Sequence, residues 1–129
     1  VTVVAAAGND SGAVNYPAAY PGVIAVSALD KDDAIAKFSS RGEQVAFIAP
    51  GVKVPSTVPY FHDASGYKSY SGTSMACPHV AGLAALAVGR GAQGPAAVKE
   101  ALGAAAERLP NLSDPEQGAG VIDAAKLAR

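Results

Sequence analysis

Three short apolar runs in the first fifty residues constrain the fold more than any other feature of this sequence. They are Val1 to Ala7, Val23 to Leu29 and Val45 to Ala49. Runs that are apolar at consecutive positions, and only five to seven residues long, predict strands covered on both faces, as in a parallel sheet. A weaker strand is predicted over residues 52–58, and Pro55 places it at an edge because proline has no N–H to donate.

The spacing of the apolar residues changes after Gly72. From Met75 to Ala87 they recur at helical intervals, with Thr73 expected to cap the first N–H groups and Gly89 to end the helix. A second helix is predicted from Pro95, with Pro110 as its stop, and a short third one from Asp123. Strands followed by helices give the α/β class. No helix is predicted between the strands, so we expect the elements that complete the sheet and its cover to lie outside this chain.

Composition excludes several classes of function. The formal net charge is -1 with no basic cluster, which argues against nucleic acid or an anionic membrane as a partner. The longest apolar stretches are too short to span a bilayer and are interrupted by Gly82. Because Cys77 is the single cysteine of the chain, an intrachain disulfide is ruled out and a structural zinc site is not predicted. We interpret it as a small buried apolar residue.

Ser74 is the candidate nucleophile, because it lies in the first turn of the predicted helix, where free N–H groups favour developing negative charge. A serine also needs a base and a group that orients the base. His79 is on the same helix but faces away from Ser74, so a packed structural histidine is predicted. His62 is predicted to be a surface loop residue. No histidine of this chain completes a triad.

Asn9 is the second candidate. It follows the first predicted strand, at the sheet edge where open α/β folds place their sites, and its amide could donate to an oxyanion. Gly-Asn is also an ordinary turn dipeptide, so a simple turn residue remains the alternative.

Together these segments resemble the subtilisin-like serine proteases, the subtilase family. Residues 72–82, GTSMACPHVAG, resemble its nucleophile motif at nearly every position, and residues 5–9, AAAGN, resemble its oxyanion-hole motif. Further similarity is found at residues 16–21, 23–26, 38–42, 49–51 and 118–123. The resemblance therefore covers essentially the whole chain and implies a three-layer α/β fold with a mostly parallel sheet.

The resemblance also implies roles for individual residues. Ser74 would attack the scissile carbonyl, and Asn9 would bind the oxyanion together with the Ser74 N–H. The primary specificity pocket would be lined by Ala5, Ala6, Ala7 and Gly8 with Asn15 at its floor, and the leaving-group side by Tyr70 and Ser71. Small walls predict a roomy pocket with an apolar preference. The catalytic Asp and His come earlier in this family, so residues 1–129 would be the C-terminal portion of the catalytic domain, inactive alone.

Further expectations concern cofactors, location and origin. Calcium is expected for the intact enzyme, mainly in the absent part. A secondary cation site at the Ala18 and Tyr20 carbonyls is doubtful, because Gln44 and Ala46 stand where relatives often have acidic residues. Polypeptide substrates and the missing N-terminal half are the expected partners, and secretion is implied. The chain begins with Val1 and not Met, which suggests that it was cut from a longer precursor.

The sequence has two alternative interpretations. An esterase of the α/β-hydrolase type needs an Asp and then a His after the serine. The last histidine of this chain, His79, precedes Asp114 and Asp123, so that order is not met. A catalytically inactive binding or structural module built on a protease fold stays open, although Asn9 and Ser74 are both intact.

Overall fold

The computed structural model describes residues 1–128. Its elements in chain order are β1 (Val4–Ala6), β2 (Ile24–Leu29), β3 (Val45–Pro50), β4 (Val54–Thr57), β5 (Tyr67–Tyr70), α1 (Thr73–Gly89), α2 (Pro95–Ala104), β6 (Ala106–Glu107), α3 (Asp114–Gln117), β7 (Val121–Ile122) and α4 (Ala124–Leu127). The predicted α/β class with a parallel sheet is confirmed. None of the described helices has both the length and the hydropathy to cross a membrane.

The main sheet is parallel, with β2 in the centre between β1 and β3. Every residue of β2 is buried, as its mainly apolar sequence predicts, and the one polar residue, Ser27, donates its hydroxyl to the Glu116 carbonyl at 2.6 Å. The prediction for β1 was wrong in two respects. The strand covers Val4–Ala6 only, and it is half-buried. The physical reason is that β1 pairs with β2 on one side and has no neighbouring strand on the other among residues 1–128, so Val1 and Val3 are exposed.

The two connections between these parallel strands contain no helix, as predicted, and run through residues 7–23 and 30–44. Helix α1 instead packs across all three strands, and α2 packs on α1. The side chains of Ala76, Val80, Ala84 and Ala87 form the buried stripe of α1, and their small size allows the helix to lie close to the sheet.

The opposite face of the sheet is covered by the loop that follows β1. A second core cluster there joins Ala7, Val14, Ala18, Ala25 and Val45. Its members are alanines and valines, so the loop lies close against the strands. This packing fixes the chain just after β1, where Asn9 and Asn15 are found.

The helix predictions need two corrections. Helix α2 starts at Pro95 but ends at Ala104, before Pro110, because the chain turns into β6, which pairs with β7. Helix α3 was not predicted. It is a four-residue helix with a capping box between Ser113 and Glu116, and the Ser-Asp-Pro-Glu stretch could have indicated it. The helix at Asp123 is confirmed, since that side chain accepts the Ala125 N–H at 2.9 Å.

The weak edge strand is confirmed as β4, but its partner β5 was not predicted. The two form an antiparallel hairpin in which Pro55 lies opposite Ser69. Strand β5 has the sequence YKSY, and all four of its residues are exposed. This sequence lacks the alternation of apolar and polar residues from which strands are predicted.

Candidate active site

Helix α1 begins at the nucleophile motif. Its N-cap residue is Gly72, which has no side chain to cap the helix, and Ser74 is the second helical residue. Ser74 is exposed and its hydroxyl has no hydrogen-bond partner within residues 1–128. The first four N–H groups of a helix lack partners within the helix, so the Ser74 N–H is also available. The predicted capping by Thr73 was wrong, because Thr73 is inside the helix and its hydroxyl bonds elsewhere.

The side chain of Asn9 provides the cap instead. Its Oδ1 accepts the Thr73 backbone N–H at 2.8 Å and the Thr73 hydroxyl at 2.9 Å. Both bonds use the oxygen of the amide, so the Nδ2 group is directed away from Thr73 with its hydrogens free. A residue 64 positions earlier in the chain thus satisfies the first N–H of α1.

The Nδ2 of Asn9 and the backbone nitrogen of Ser74 both lie close to Gly72. A methyl carbon built on Gly72 would lie 3.6 Å from Asn9 Nδ2 and 3.7 Å from the Ser74 nitrogen. Two donors next to one point, at the positive end of a 17-residue helix, form an environment that stabilises an oxyanion. The space exists because residue 72 has no side chain.

Gly8 connects β1 to this arrangement. Its N–H donates to the Thr73 hydroxyl at 3.1 Å, and its backbone has a φ of +119°, which favours glycine. An added Cβ would collide with the Asn15 amide and lie 2.8 Å from the Ser40 hydroxyl oxygen. The glycine therefore sets the direction in which the chain carries Asn9 towards α1.

Neither histidine is hydrogen-bonded to Ser74 within residues 1–128. The Nδ1 of His79 bonds the Met75 carbonyl at 2.8 Å, within its own helix. His79 is exposed in the described chain, so the prediction of a packed histidine was wrong about burial. His62 is exposed at the tip of the β4–β5 hairpin, as predicted, with its ring 4.6 Å from that of Phe61.

The residues predicted to line the specificity pocket are neighbours in the structure. Ala5 and Ala6 lie in β1, Ala7 is buried, and the Asn15 N–H donates to the Ala7 carbonyl at 2.8 Å. The Asn15 side chain, with its amide nitrogen turned towards Asp10, donates to Asp10 Oδ2 at 3.3 Å.

Asp10 was missed in the sequence analysis. Its Oδ1 accepts the Ser40 hydroxyl at 2.8 Å and the Gly12 N–H at 3.1 Å. The Ser40 bond, followed by the Gly12 bond, lowers the pKa of Asp10 below its ordinary value of 3.8. An acidic residue directly after Gly-Asn is the signal that could have identified it. It brings a carboxylate to the predicted pocket.

The two residues predicted for the leaving-group side connect the hairpin to α1. Tyr70 ends β5 and is 41% exposed, with the Lys68 ammonium 5.7 Å from the centre of its ring. The hydroxyl of Ser71 accepts the Lys53 N–H at 2.8 Å. That bond joins the two ends of the hairpin immediately before the nucleophile.

No group of three or more His, Cys, Asp or Glu side chains that could bind a metal is found in residues 1–128. At the doubtful secondary site the Tyr20 carbonyl accepts the Val23 N–H at 3.2 Å. The adjacent pocket is lined by Glu43 and Gln44 and also by the cationic Lys99. A carboxylate and an ammonium side by side give no clear preference for a cation, so the donor set does not fit calcium well.

Cys77 is half-buried, less enclosed than predicted. Burial raises the pKa of its thiol above the ordinary value of 9.0. A thiol with a raised pKa is a poor nucleophile at neutral pH.

The geometry defines a class of protein first. A serine at a helix N-terminus with an asparagine amide nearby, at the carboxyl end of a parallel strand, is an arrangement found in acyl-transfer enzymes. The model of the subtilase family matches residues 1–120, and the chain therefore belongs to the subtilase family.

Individual relatives agree with this assignment. Halolysin of Haloferax mediterranei is 44% identical over 124 residues, which are 95% of this chain and 23% of that protein. Alkaline elastase YaB of Bacillus sp. (strain YaB) is 52% identical over 87 residues, 67% of this chain and 22% of that protein. The chain thus spans about a quarter of the length of these curated relatives.

A solved structure extends the likeness to three dimensions. The crystal structure of a lanthipeptide protease superposes with a TM-score of 0.85 at 26% identity, covering 98% of this chain and 50% of that one. The fold is therefore subtilisin-like, as the resemblance implied.

Proposed function

We propose that residues 1–129 are the C-terminal portion of a subtilisin-like catalytic domain and that the intact protein is a serine endopeptidase. Ser74 Oγ would attack the scissile carbonyl, and the resulting oxyanion would be bound by Asn9 Nδ2 and the Ser74 N–H. The hydroxyl proton would pass to a base and then to the leaving amine, and water would hydrolyse the acyl-enzyme. The observation that carries the proposal is that both donors lie beside the same point next to Gly72.

The base in this proposal is a histidine, oriented by an aspartate, from a segment upstream of this chain. His79 is bonded to its own helix and His62 is at the hairpin tip, so neither is placed to take the Ser74 proton. This chain alone is expected to be inactive, and the upstream half of the domain is its principal partner.

Polypeptides are the proposed substrates, with Ala5, Ala6, Ala7, Gly8 and Asn15 as the specificity pocket. An apolar side chain is expected there, since the Asp10 carboxylate is already bonded to Ser40 and Gly12. Secretion of the intact protein is proposed on the same family basis. Calcium, where the intact enzyme needs it, would be bound mainly outside this chain.

Active-site labelling distinguishes an enzyme from an inactive module with a protease fold. A fluorophosphonate should modify the intact protein at Ser74, as located by peptide mass spectrometry, and the Ser74→Ala variant should remain unlabelled. In subtilisin, a relative of this chain, removing the nucleophile lowers kcat on the order of a millionfold, and a loss of that order is expected here. Labelling elsewhere, or none, would support the inactive module.

Substitution of Asn9 separates its bonds to Thr73, which cap α1, from its proposed role in binding the oxyanion. Asn9→Asp keeps oxygens that accept the Thr73 bonds but removes the Nδ2 donor, so the free energy of unfolding should be retained while kcat falls about 10²–10³-fold, the loss known for such a donor in subtilisin. Asn9→Ala should lower both quantities. Equal kcat in Asn9→Asp and the parent would remove Asn9 from the oxyanion site.

A further inference from the structure

Asp10 follows Asn9 directly, and its side chain is bonded to a part of the chain that lies 30 residues away in sequence. Its Oδ1 accepts the Ser40 hydroxyl at 2.8 Å. We propose that Asp10 is a positioning residue of the oxyanion site: its carboxylate holds the turn after β1 against residues 36–41, the anchor loop, and thereby sets the direction of the Asn9 side chain. The inference rests on the proposed peptidase function and adds to it a residue that does not touch the substrate.

Asn9 depends on neighbouring residues for its position. Within residues 1–128 its backbone makes no hydrogen bond, and its side chain bonds only to Thr73, through Oδ1. These two bonds fix the oxygen of the amide at the start of α1. The other end of the side chain, the Asn9 Cα, is held only by the residues on either side, Gly8 and Asp10. The direction of the amide nitrogen, which is the proposed oxyanion donor, therefore depends on both of them.

The turn after β1 is bonded to the anchor loop on both sides of Asn9. The Ser40 N–H donates to the Gly8 carbonyl at 2.8 Å, and the Arg41 N–H donates to the Gly12 carbonyl at 2.9 Å. Between these two backbone bonds, the Asp10 carboxylate adds a side-chain bond to the same loop. The backbone bonds hold the ends of the turn, and the carboxylate holds its middle, next to Asn9.

The Asp10 carboxylate has further partners in the protein. Besides the bond from Ser40, its Oδ1 accepts the Gly12 N–H at 3.1 Å, and its Oδ2 accepts the Asn15 amide at 3.3 Å. The Ser40 bond is the largest cause of the lowered pKa of Asp10, so the carboxyl group is ionised at neutral pH. Ser40 is fully buried, and a buried hydroxyl that lost its acceptor would cost free energy. Asp10 therefore stabilises one arrangement of the turn.

The partners of Asp10 also enclose Gly8. A Cβ added to Gly8 would collide with the Asn15 amide and lie 2.8 Å from the Ser40 hydroxyl oxygen. Ser40 and Asn15 thus contact the residue before Asn9 and bond to the residue after it. Because one cluster holds both neighbours, loss of the Asp10 carboxylate would free the Asn9 Cα to move. A misplacement of about 1 Å can lower kcat by up to about a hundredfold.

A direct contact between Asp10 and a substrate side chain is the competing explanation, because Asp10 is exposed and bonded to the predicted pocket residue Asn15. Both carboxylate oxygens, however, already accept hydrogen bonds from the protein. A carboxylate occupied in this way has less to offer a basic substrate residue, which favours the positioning role.

The test compares four forms of the intact protein: the parent, Asp10→Ala, Asn9→Ala and the double variant. Their kcat values are measured with a peptidyl p-nitroanilide. Asp10→Ala should lower kcat about tenfold in the parent, which is less than the loss of about 10²–10³-fold expected for removal of the donor itself. In the Asn9→Ala background the same substitution should change kcat by less than about twofold, because no amide remains to be positioned.

Conservative variants separate the hydrogen bonds of Asp10 from its charge. Asp10→Asn keeps an oxygen that accepts from Ser40 and Gly12, and its amide can donate to Asn15 once that side chain turns over, so kcat should stay within about twofold of the parent. Ser40→Ala removes one partner and tests the same contact if Asp10→Ala folds poorly. It should lower kcat less than Asp10→Ala does, and again only when Asn9 is present.

Asp30→Ala is the matched control. The Oδ1 of Asp30 accepts the Asp32 N–H at 2.8 Å and the Ala34 N–H at 3.0 Å. The variant therefore also loses local carboxylate bonds, but in a loop that has no bond to Asn9 within residues 1–128. Its kcat should equal that of the parent.

An equal fall of kcat in the parent and in the Asn9→Ala background would overturn the inference, because Asp10 would then act on the structure in general or on the substrate. A loss in Asp10→Asn as large as that in Asp10→Ala would overturn it as well, since the hydrogen bonds would not be responsible. If the parent hydrolyses no p-nitroanilide, the proposed function itself is rejected instead.

Discussion

The nucleophile turn, residues 72–75, and the β4–β5 hairpin, residues 54–70, are adjacent in the chain but are held in different ways. At the nucleophile turn the bonds to Thr73 come from Gly8 and Asn9, which are 65 and 64 residues away in sequence. At the hairpin tip the bonds of Asp63 and Ser65 span two residues. The arrangement of Asn9 and Ser74 therefore requires the sheet and the helix to be packed together, whereas the tip of the hairpin is organised by local bonds.

This difference has a consequence for how each region responds to change. A bond between distant segments fails when either segment shifts, so substitutions near Asn9 should affect stability and turnover together. Substitutions in the hairpin should affect only the local structure. The following four substitutions test that contrast in the intact protein, from the largest expected effect to the smallest.

Gly8→Ala should have the largest effect. The new Cβ would collide with the Asn15 amide, lie 2.8 Å from Ser40 Oγ and require a φ of +119°. We expect the free energy of unfolding to fall by about 2–4 kcal/mol and kcat to fall with it. Guanidinium denaturation and p-nitroanilide hydrolysis measure the two quantities. The control is Gly103→Ala in α2, where an added Cβ meets nothing within 4 Å and a gain of about 0.5–1 kcal/mol is expected. If the Gly8→Ala and Gly103→Ala variants had equal free energies of unfolding, the expected sensitivity of the Gly8 position would be contradicted.

Thr73→Val is the next test, because it keeps the shape of the side chain and removes only the hydroxyl. The buried Thr73 hydroxyl accepts from Gly8 and donates to Asn9. We expect a loss of about 1–3 kcal/mol from the unpaired Gly8 N–H, together with a lower kcat as Asn9 becomes less well held. Thr57→Val on exposed β4 should change stability by less than about 0.5 kcal/mol. A Thr73→Val enzyme with full kcat would show that Asn9 is positioned without this hydroxyl.

Gly66→Ala tests the hairpin alone. With a φ of +77° and Tyr60 at 2.9 Å from the new Cβ, the variant should lose about 1–2 kcal/mol by local strain. Hydrolysis of p-nitroanilides should be unchanged, because no bond from this loop reaches Asn9 or Ser74 within residues 1–128. A loss of kcat as large as that of Thr73→Val would mean that the hairpin is not independent of the nucleophile turn.

Glu116→Gln should have the smallest effect and depends on pH. The Ser113 N–H bond, the Ser113 hydroxyl and the Arg41 guanidinium at 3.2 Å lower the pKa of Glu116 below its ordinary 4.5. A carboxylate with a lowered folded-state pKa stabilises the fold above the unfolded-state pKa, and this contribution is lost as the pH falls through the folded-state pKa. The variant should therefore be less stable by at most about 1 kcal/mol at pH 7, and the difference should vanish in acid.

Denaturation midpoints measured from pH 7 down to pH 3 provide the readout for this substitution. Glu100→Gln, on the exposed surface of α2, is the matched control and should give parallel curves. A gap between Glu116→Gln and the parent that persists undiminished in acid would show that packing, and not the charge, is responsible.

The sequence indicates candidate site residues more readily than it indicates the elements around them. Ser74 and Asn9 were identified because each stands at the end of a strongly patterned element, where free N–H groups or a sheet edge favour such chemistry. Strand β5 was missed because its residues, YKSY, show no apolar alternation, and the role of Asp10 was missed because its partner Ser40 is 30 residues away in sequence. Thr73 was predicted to be a local cap for the same reason, since its actual partners, Gly8 and Asn9, follow β1.

What the amino-acid sequence determined by itself is local: the buried strand β2, the start of α1 at its Gly-Thr-Ser stretch, and the family to which the chain belongs. Backbone propensity and apolar spacing act over a few residues, so they can be recognised from the amino-acid sequence alone. Only the tertiary structure decided that Asn9 Oδ1 caps α1 and leaves Nδ2 beside the Ser74 N–H. That arrangement results from packing α1 across the sheet, which brings residues 64 positions apart within hydrogen-bond distance.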